Sequence, residues 1–301
     1  MILLDDGLLD LDHPVVDYIP EFTGKGKEKI KIHHLMTHTS GLRDEDAHAH
    51  AEKKRGTIEI PPADKNEHPK IHECLNLIYD MPIWKAPGEE MSYCSAGIGF
   101  LGEIVRRVSG KSLADFAKER IFSPLGMDST NYGVPEHLRN RVVRRSLQNP
   151  FGEWMMDPES LDNPSGDGGA FSTAMDMAVF CQMFMNGGKY GNSRIISPAA
   201  VAQMTRNQIP GVPARFEDKY FSEASWGYCW NVRCAKRDEF GSLCSPRMFS
   251  HGGAGGTFVF GDPEYDVVGS YFSVSTFNKK NEQRIYFDLY SNAVLSAIEE
   301  L

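Results

Sequence analysis

The spacing of apolar residues changes about two thirds of the way along the chain, and this change limits the folds that the chain can adopt. Residues 1–210 repeatedly place apolar residues three or four positions apart, which is the period of an amphipathic helix. Residues 226–275 contain short aromatic and β-branched runs, a pattern typical of strands. We therefore expect an α/β fold of the α+β type: one domain over 1–301, mainly helical over 1–210, with antiparallel strands and a C-terminal helix over 220–301.

Helix boundaries are predicted from capping residues and stop signals. The run AGIGFLGEIVRRVSG, from Ala96 to Gly110, carries apolar residues at helical spacing and ends at a glycine, which is common at helix C-termini. Ser112, with Asp115 three residues later, has the pattern of a capping box for a helix that ends at Pro124. The remaining predicted N-caps are Ser172 or Thr173 before AMDMAVFCQMFMNGG, and Ser197 with Pro198 before AAVAQMTRN.

Three strands and a last helix are predicted in the C-terminal third. The strand runs are WGYCWNV (226–232), GTFVFGDP (256–263) and DVVGSYFSVS (266–275), and the last two should form a hairpin across residues 262–265. A helix should begin at Asn281 and pack on this sheet. The residues expected to face the sheet are Ile285, Leu289, Ala293, Leu295 and Ile298.

Composition excludes several classes of protein. The 301 residues carry a net charge of -9 and show no Lys/Arg cluster, so a nucleic-acid surface is not expected. No apolar run reaches the roughly 18 to 20 residues of a membrane span, and the first residues lack a signal peptide's basic flank. Six cysteines occur without a C-x-x-C pair, so zinc and disulfides are not indicated. We expect free thiols and a cytoplasmic protein, with a signal peptide lost upstream of Met1 as the alternative.

The polar segments contain histidines that weakly suggest metal binding. His34 and His38 are four residues apart, but HLMTH lacks the glutamate of H-E-x-x-H, and His48 and His50 have no third ligand in view. Residues 43–72 form the most polar stretch and are expected to be a surface excursion that contributes little to the core. No metal site is therefore predicted.

Four stretches resemble the penicillin-recognising serine hydrolases, which include class C β-lactamases, DD-peptidases, D-aminopeptidases and related esterases. They are LLDDGLLDLDHPVVDYIPEF with KIHHLMTHTSGL, WKAPGEEMSYCSAGIGFLGEIVRRVSGKSLADFAKERIFSPLGM, GGAFSTAMDMAVF, and SHGGAGGTFVFGDPEYDVVGSYFSV. The resemblance covers the chain nearly end to end. It implies a β-lactamase-like fold and catalysis through an acyl-enzyme.

The nucleophile motif of such enzymes, Ser-x-x-Lys, does not occur in the sequence. In that motif one helical turn of spacing places the lysine amine beside the serine hydroxyl, which is a weak nucleophile on its own. The apolar run before Asp5 reads as the end of a helix, and the resemblance places the motif upstream of Met1. We therefore expect the nucleophile helix, an N-terminal helix and the first strands to be missing, and the chain as given to be catalytically inactive.

The second motif of the family, Tyr-x-Asn, is matched by Tyr93-Cys94-Ser95. The resemblance gives Tyr93 the role of moving protons with the lysine. Ser95 replaces the usual asparagine, and its hydroxyl has a shorter reach and fewer donors. Cys94 is a conceivable substitute nucleophile, but the middle residue of the motif should point away from the cleft, and we expect it to be a buried, inert thiol.

The third motif, His-x-Gly, is matched by His251-Gly252-Gly253-Ala254. The resemblance implies that substrate lies against Gly252 and Gly253 like an added strand, and that the Ala254 N–H forms half of an oxyanion hole. His251 is expected either to carry positive charge toward a substrate carboxylate or to tune the tyrosine. Gly168, in the GGAF segment, resembles a residue of a loop that borders the pocket.

Three functions remain open at this point. The first is acyl transfer to water from an ester, a β-lactam or a D-amino-acid amide, with a small-molecule or peptide substrate and no cofactor. The second is a non-catalytic relative that keeps the cleft for binding. The third, a metal-dependent hydrolase, is suggested only by the ten histidines. Retention of Tyr93 and of the His251 motif favours the first.

Overall fold

A computed structural model describes residues 1–144, 158–216, 219–235, 241–274 and 280–300. Within them the helices are α1 Ile2–Asp5, α2 Ile32–Met36, α3 Asp44–Lys54, α4 Pro69–Ile78, α5 Ser95–Ser109, α6 Leu113–Ala117, α7 Ser123–Leu125, α8 Pro158–Asp162, α9 Ala174–Met185, α10 Pro198–Met204 and α11 Lys280–Ser296. The strands are β1 Met91–Ser92, β2 Asn131–Tyr132, β3 Ala170–Phe171, β4 Lys189–Tyr190, β5 Ser193–Arg194, β6 Ala214–Phe216, β7 Lys219–Phe221, β8 Asn231–Val232, β9 Phe249–Gly253, β10 Thr257–Asp262 and β11 Val267–Phe272. The α+β class is confirmed. No helix of this described part is long and apolar enough to cross a membrane.

The chain forms two compact units that alternate along the sequence. The first unit contains residues 1–119, 163–170 and 208–224, and the second contains residues 120–162, 171–207 and 225–301. The assignment of the whole chain to one domain stays a prediction.

The first unit is built around α5. Phe100 is fully buried and meets the ring of Phe22 edge to face, with 4.9 Å between centroids. One turn on, the buried carboxylate of Glu103 accepts hydrogen bonds from Arg106 and Arg107 on the same helix. Pairing of this kind allows a charged group to remain inside a core. The buried face of α5 therefore carries an ion pair among its apolar residues.

The polar stretch 43–72 contributes more structure than its composition suggested. It forms α3 and the start of α4, which pack against each other. Ala47 and the side chain of Glu67 are buried in this region. The stretch is therefore helical in part, but the expectation that it contributes little to the core is confirmed, since Ala47 is the one residue of 43–72 in the buried class.

The predicted helix caps are confirmed where they rest on local hydrogen bonds. Ser112, Thr173 and Ser197 each accept a hydrogen bond from the backbone N–H three residues later. Gly110 ends α5 in the left-handed conformation. Pro124 lies within α7 and does not end the preceding helix, because a π turn over Lys118–Phe122 connects α6 to α7.

The second unit contains a four-stranded antiparallel sheet in the order β11-β10-β9-β8. The predicted hairpin is confirmed, with Thr257 opposite Phe272 and Asp262 opposite Val267. α9 and α11 pack against this sheet. Phe258 of β10 stacks on Phe287 of α11 with 4.7 Å between the ring centroids. The terminal helix therefore backs the sheet as predicted.

Residues 226–232 form much less strand than predicted. Only Asn231 and Val232 belong to β8, because the N–H of Gly227 donates to the carbonyl of Trp230 and the segment turns back on itself. A Cβ atom at Gly227 would lie 2.0 Å from the carbonyl oxygen of Met204. The close backbone approach, and not strand pairing, accounts for this glycine.

The buried face of α11 is also shifted from the one predicted. Phe287, Ser291 and Leu295 are buried at intervals of four, whereas Leu289 and Ala293 are exposed. Leu295 and the partly buried Ile298 pack in the aromatic core as expected, and the side chain of Ile285 lies outside the described residues. Both faces of this helix carry apolar residues, so periodicity alone selected the wrong line of contacts.

Candidate active site

The first group of predicted site residues lies at a turn in the first unit, between β1 and α5. Cys94 is the N-cap of α5 and Ser95 is its first residue. β1 enters this turn as the parallel partner of β6, with Ser92 opposite Arg215. Residues 93–95 are called the motif turn below. The structure therefore places Tyr93 and Ser95 together at the start of a helix.

Tyr93 rests on His38, which sequence analysis considered only as a possible metal ligand. The ring centroids of Tyr93 and His38 are 4.3 Å apart, and His38 is buried while 36% of Tyr93 is exposed. Nδ1 of His38 accepts the N–H of Cys94 at 3.2 Å, so the proton of the neutral imidazole lies on Nε2. The carbonyl of His38 accepts the N–H of Ser92 at 2.9 Å.

The HTSGL turn that carries His38 is tightly constrained. His38 has a φ of +56°, which is uncommon for a residue with a side chain. Gly41 has a φ of +79°, and a Cβ atom there would lie 2.1 Å from the carbonyl oxygen of Lys85. The turn follows the end of α2, and its residue His38 contacts the motif turn.

Asp44, at the start of α3, holds the other side of the motif turn. Its carboxylate accepts the N–H of Ser95 at 2.9 Å and the N–H of Ala96 at 3.0 Å. The Cys94 thiol donates to the same carboxylate, with 3.4 Å between sulfur and oxygen. A carboxylate at the first amides of a helix satisfies donors that have no partner within the helix.

Cys94 has the environment of an inert thiol. The side chain is 1% exposed, and burial together with the neighbouring Asp44 carboxylate raises the pKa of the thiol well above its usual value. The thiolate is the reactive form of cysteine, so raising the pKa suppresses reactivity. These properties support the rejection of Cys94 as a nucleophile.

We expect iodoacetamide to leave Cys94 unmodified in the folded chain at pH 8. Cys74, which is exposed, is the internal control and should be alkylated under the same conditions. Mass spectrometry of tryptic peptides measures both thiols in one sample. Alkylation of Cys94 at the rate of Cys74 would show that its thiol is accessible and would reopen its role in catalysis.

The second group of predicted site residues lies on β9 in the second unit. His251 is half-buried, and its Nδ1 is 2.9 Å from the carbonyl oxygen of Gly252. A carbonyl only accepts, so Nδ1 carries the proton. Burial lowers the pKa of His251, and the edge of its ring contacts Trp226. The structure therefore favours a neutral His251, because burial disfavours the positive charge considered for it from the sequence.

Packing within the hairpin also bears on the glycines after His251, apart from the substrate contact that the resemblance implies for them. A Cβ atom at Gly253 would lie 2.3 Å from the hydroxyl of Thr257 on β10. At Gly252 an added Cβ would make an ordinary contact with Phe287. Ala254, which is exposed, begins the turn between β9 and β10, and the N–H of Gly256 closes this turn on the carbonyl of Gly253. The hairpin itself therefore requires a glycine at position 253.

Gly168 lies in a turn of the first unit. An added Cβ there would meet nothing within 4 Å, whereas one at Gly169 would lie 2.2 Å from the carbonyl oxygen of Asn163. The position is open, and nothing in its own packing requires a glycine.

Two of the other histidines, His34 and His50, take part in local contacts. Nδ1 of His34 accepts the N–H of Lys31, and burial lowers the pKa of His34 to about 4. Nε2 of His50 lies 2.9 Å from the carboxylate of Asp80. In the described residues, no three His, Cys, Asp or Glu side chains gather in a way that would hold a metal ion.

Comparison with known proteins gives a consistent set of similarities. The Beta-lactamase family model matches residues 1–292. Penicillin-binding protein 4 of Amycolatopsis lactamdurans is 30% identical over 240 residues, which cover 76% of this chain and 58% of that protein. The chain spans 58% to 62% of the length of the first curated relatives that it matches.

Solved structures show the same fold at low sequence identity. Simvastatin synthase (LovD) from Aspergillus terreus is 16% identical with a TM-score of 0.72, covering 99% of this chain and 80% of that one. A family VIII carboxylesterase is 22% identical with a TM-score of 0.69, covering 96% and 78%. The fold is therefore shared with proteins of several described activities.

Proposed function

This chain belongs to the beta-lactamase family, and from that premise we propose that residues 1–301 carry the proton-transfer and substrate-backbone parts of a serine acyl-transfer site. The family is one of serine hydrolases, with β-lactamase, carboxypeptidase and esterase members. The proposed substrate is a small molecule or peptide with an ester, β-lactam or D-amino-acid amide group. No cofactor takes part.

The observation that carries this proposal is the geometry of Tyr93. Its ring lies partly exposed on a buried imidazole, at the first turn of α5, on backbone held by neighbouring groups. A general base must be held within hydrogen-bond reach of the proton that it moves. An exposed phenol on a fixed turn meets this need, whereas a tyrosine serving only the core would be buried.

The proposed division of roles follows the two groups of residues. Tyr93 moves the proton, and Ser95 supplies a hydroxyl at the start of α5. Gly252 and Gly253 receive the substrate backbone, and the N–H of Ala254 donates to the developing oxyanion. A neutral His251 lines the strand, and Gly168 borders the substrate. The 301 residues contain no Ser-x-x-Lys motif that could supply the nucleophile.

We therefore expect purified chain 1–301 to turn over neither nitrocefin nor p-nitrophenyl acetate above the rate in buffer. Removal of the nucleophile of a serine hydrolase lowers kcat by about six orders of magnitude. Absorbance assays of the wild type, Tyr93→Phe and Tyr220→Phe test this, since Tyr220 is an exposed tyrosine of β7 and serves as the matched control. Turnover that Tyr93→Phe removes and Tyr220→Phe retains would show that the chain has a complete site.

A binding function without turnover is the second candidate. The absence of Ser-x-x-Lys and the serine at position 95 favour it. Calorimetric titration with a D-alanyl-D-alanine peptide and with benzylpenicillin distinguishes the two: saturable binding without turnover, weakened by Tyr93→Ala, would favour a binding protein. Absence of binding to either ligand would remove this candidate for these substrates.

A further inference from the structure

We propose that His38 and Asp44 are positioning residues that hold the motif turn from its two sides. The inference deepens the proposed function, on which it rests for the role of Tyr93 and Ser95. The two side chains belong to one segment, residues 38–44, and their contacts with the turn join residues 50 to 56 positions apart in sequence. Neither touches the reacting atoms in this proposal, so both act through the residues that they hold.

His38 fixes the entry to the turn at three points. Its carbonyl accepts the N–H of Ser92, its Nδ1 accepts the N–H of Cys94, and its ring lies against the ring of Tyr93. The first two bonds hold the backbone on both sides of Tyr93, and the third contact limits where the phenol can lie. The positive φ of His38 is costly, and such a conformation persists where several contacts determine it together.

Asp44 fixes the exit from the turn. One carboxylate binds the N–H groups of Ser95 and Ala96 and the thiol of Cys94. With His38, it occupies three consecutive backbone amides, those of residues 94, 95 and 96. The Cys94 thiol points toward Asp44, which explains why the middle residue of the motif is buried while Tyr93 is exposed. The turn is thereby held before any substrate arrives.

The first test separates the side-chain and backbone bonds of His38. In His38→Ala, amide hydrogen exchange measured by NMR should become about tenfold faster at Cys94, which loses its acceptor, and stay unchanged at Ser92, which keeps the carbonyl. His38→Asn should restore slow exchange at Cys94, because Asn tolerates a positive φ and offers an oxygen near the position of Nδ1. A merely structural role would not produce this rescue.

The second test addresses Asp44 with a matched control from the same helical turn. Asp44→Ala should make exchange at Ser95 and Ala96 about tenfold faster and leave Ser92 unchanged. Asp46→Ala removes the same charge, but Asp46 pairs with Arg43 and so should leave the motif turn unaffected. If Asp44→Ala folds poorly, Asp44→Asn keeps one acceptor oxygen and should give a smaller change at the same two amides.

The position of Tyr93 supplies a readout that is closer to function. Nitration by tetranitromethane, followed by peptide mass spectrometry, should become several-fold faster at Tyr93 in His38→Ala, where the covering ring is lost, with Tyr220 as the internal reference. Unchanged exchange at residues 94 to 96 and unchanged nitration in all variants would overturn the positioning roles. Turnover by the wild-type chain would contradict its proposed inactivity and leave these results standing, so the two proposals fail separately.

Discussion

Replacing Gly41 by alanine is expected to destabilise the first unit by about 3 kcal/mol or more, the range of severe backbone and steric changes. The Cβ atom would lie 2.1 Å from the carbonyl oxygen of Lys85, and the φ of +79° is unfavourable for alanine. The carbonyl of Gly41 also accepts the N–H of Trp84 at 2.8 Å, so the backbone cannot move away without losing this bond.

Gly110→Ala is the matched control for Gly41→Ala. Gly110 has a similar φ of +69°, but an added Cβ would meet nothing within 4 Å. Gly110→Ala should therefore lower the free energy of unfolding by about 1 kcal/mol, which is the cost of the left-handed conformation alone. Urea unfolding followed by circular dichroism gives the two free energies of unfolding. Equal losses in the two variants would show that the segment around Gly41 relaxes and that the close approach to Lys85 costs little.

The ends of helices were predictable because their determinants are local. Ser112, Thr173 and Ser197 each act on an amide three residues away, and Gly110 adopts the positive φ that ends α5. None of these features needs information from elsewhere in the chain. The prediction of these four boundaries therefore required only a short window of sequence.

Strands and buried faces were less predictable because pairing and packing are non-local. The run from Trp226 to Val232 has strand composition, yet only its last two residues pair in the sheet. α11 carries apolar residues on both faces, and contact with Phe258 decides that Phe287 is buried and Leu289 is exposed. Packing against the sheet therefore decides which residues pair and which helix face is buried, where the sequence pattern is compatible with more than one answer.

The candidate site shows the same difference between residues with local signals and residues whose contacts are distant in sequence. Tyr93, Ser95 and the residues from His251 to Ala254 were identified through motifs that lie within a few residues. His38 and Asp44 were missed, because their contacts join residues more than 50 positions apart. The available signals were a histidine in a turn and an aspartate in a polar run, and neither is specific. The protonation of His251 likewise depends on burial, which only the fold determines.

Lys27 is another residue whose environment the sequence does not disclose. In TGKGKEKI nothing distinguishes it from Lys25 and Lys29, which are exposed. Lys27 is 1% exposed, its Nζ donates to the carbonyl of Tyr79 at 2.6 Å, and it lies 4.1 Å from the ring centroid of Phe22. Burial lowers the pKa of its amine to about 7, with Lys54 acting in the same direction and Asp80 opposing both.

This buried amine should make the free energy of unfolding rise with pH. Between pH 7 and pH 10 the unfolded chain keeps the Lys27 proton, since an unperturbed lysine has a pKa near 10.5, while the folded chain has released it. The unfolded state then binds more protons, so its population falls as the pH rises. The expected slope is about 1.4 kcal/mol per pH unit, and below pH 7 it should vanish because both states are protonated.

Lys27→Met isolates this contribution, because other groups titrate in the same range. Burial raises the pKa of the thiols of Cys181 and Cys244 to about 12 and about 11, and this lowers stability at high pH in wild type and variant alike. The difference in free energy of unfolding between wild type and Lys27→Met should grow from pH 7 to pH 9 by about 2 kcal/mol in favour of wild type. Lys29→Met, at an exposed position two residues on, measures the general effect of losing one positive charge. A difference that stays constant with pH, once this control is subtracted, would mean that Lys27 remains protonated in the folded chain and that its contact with the Tyr79 carbonyl holds an ammonium group.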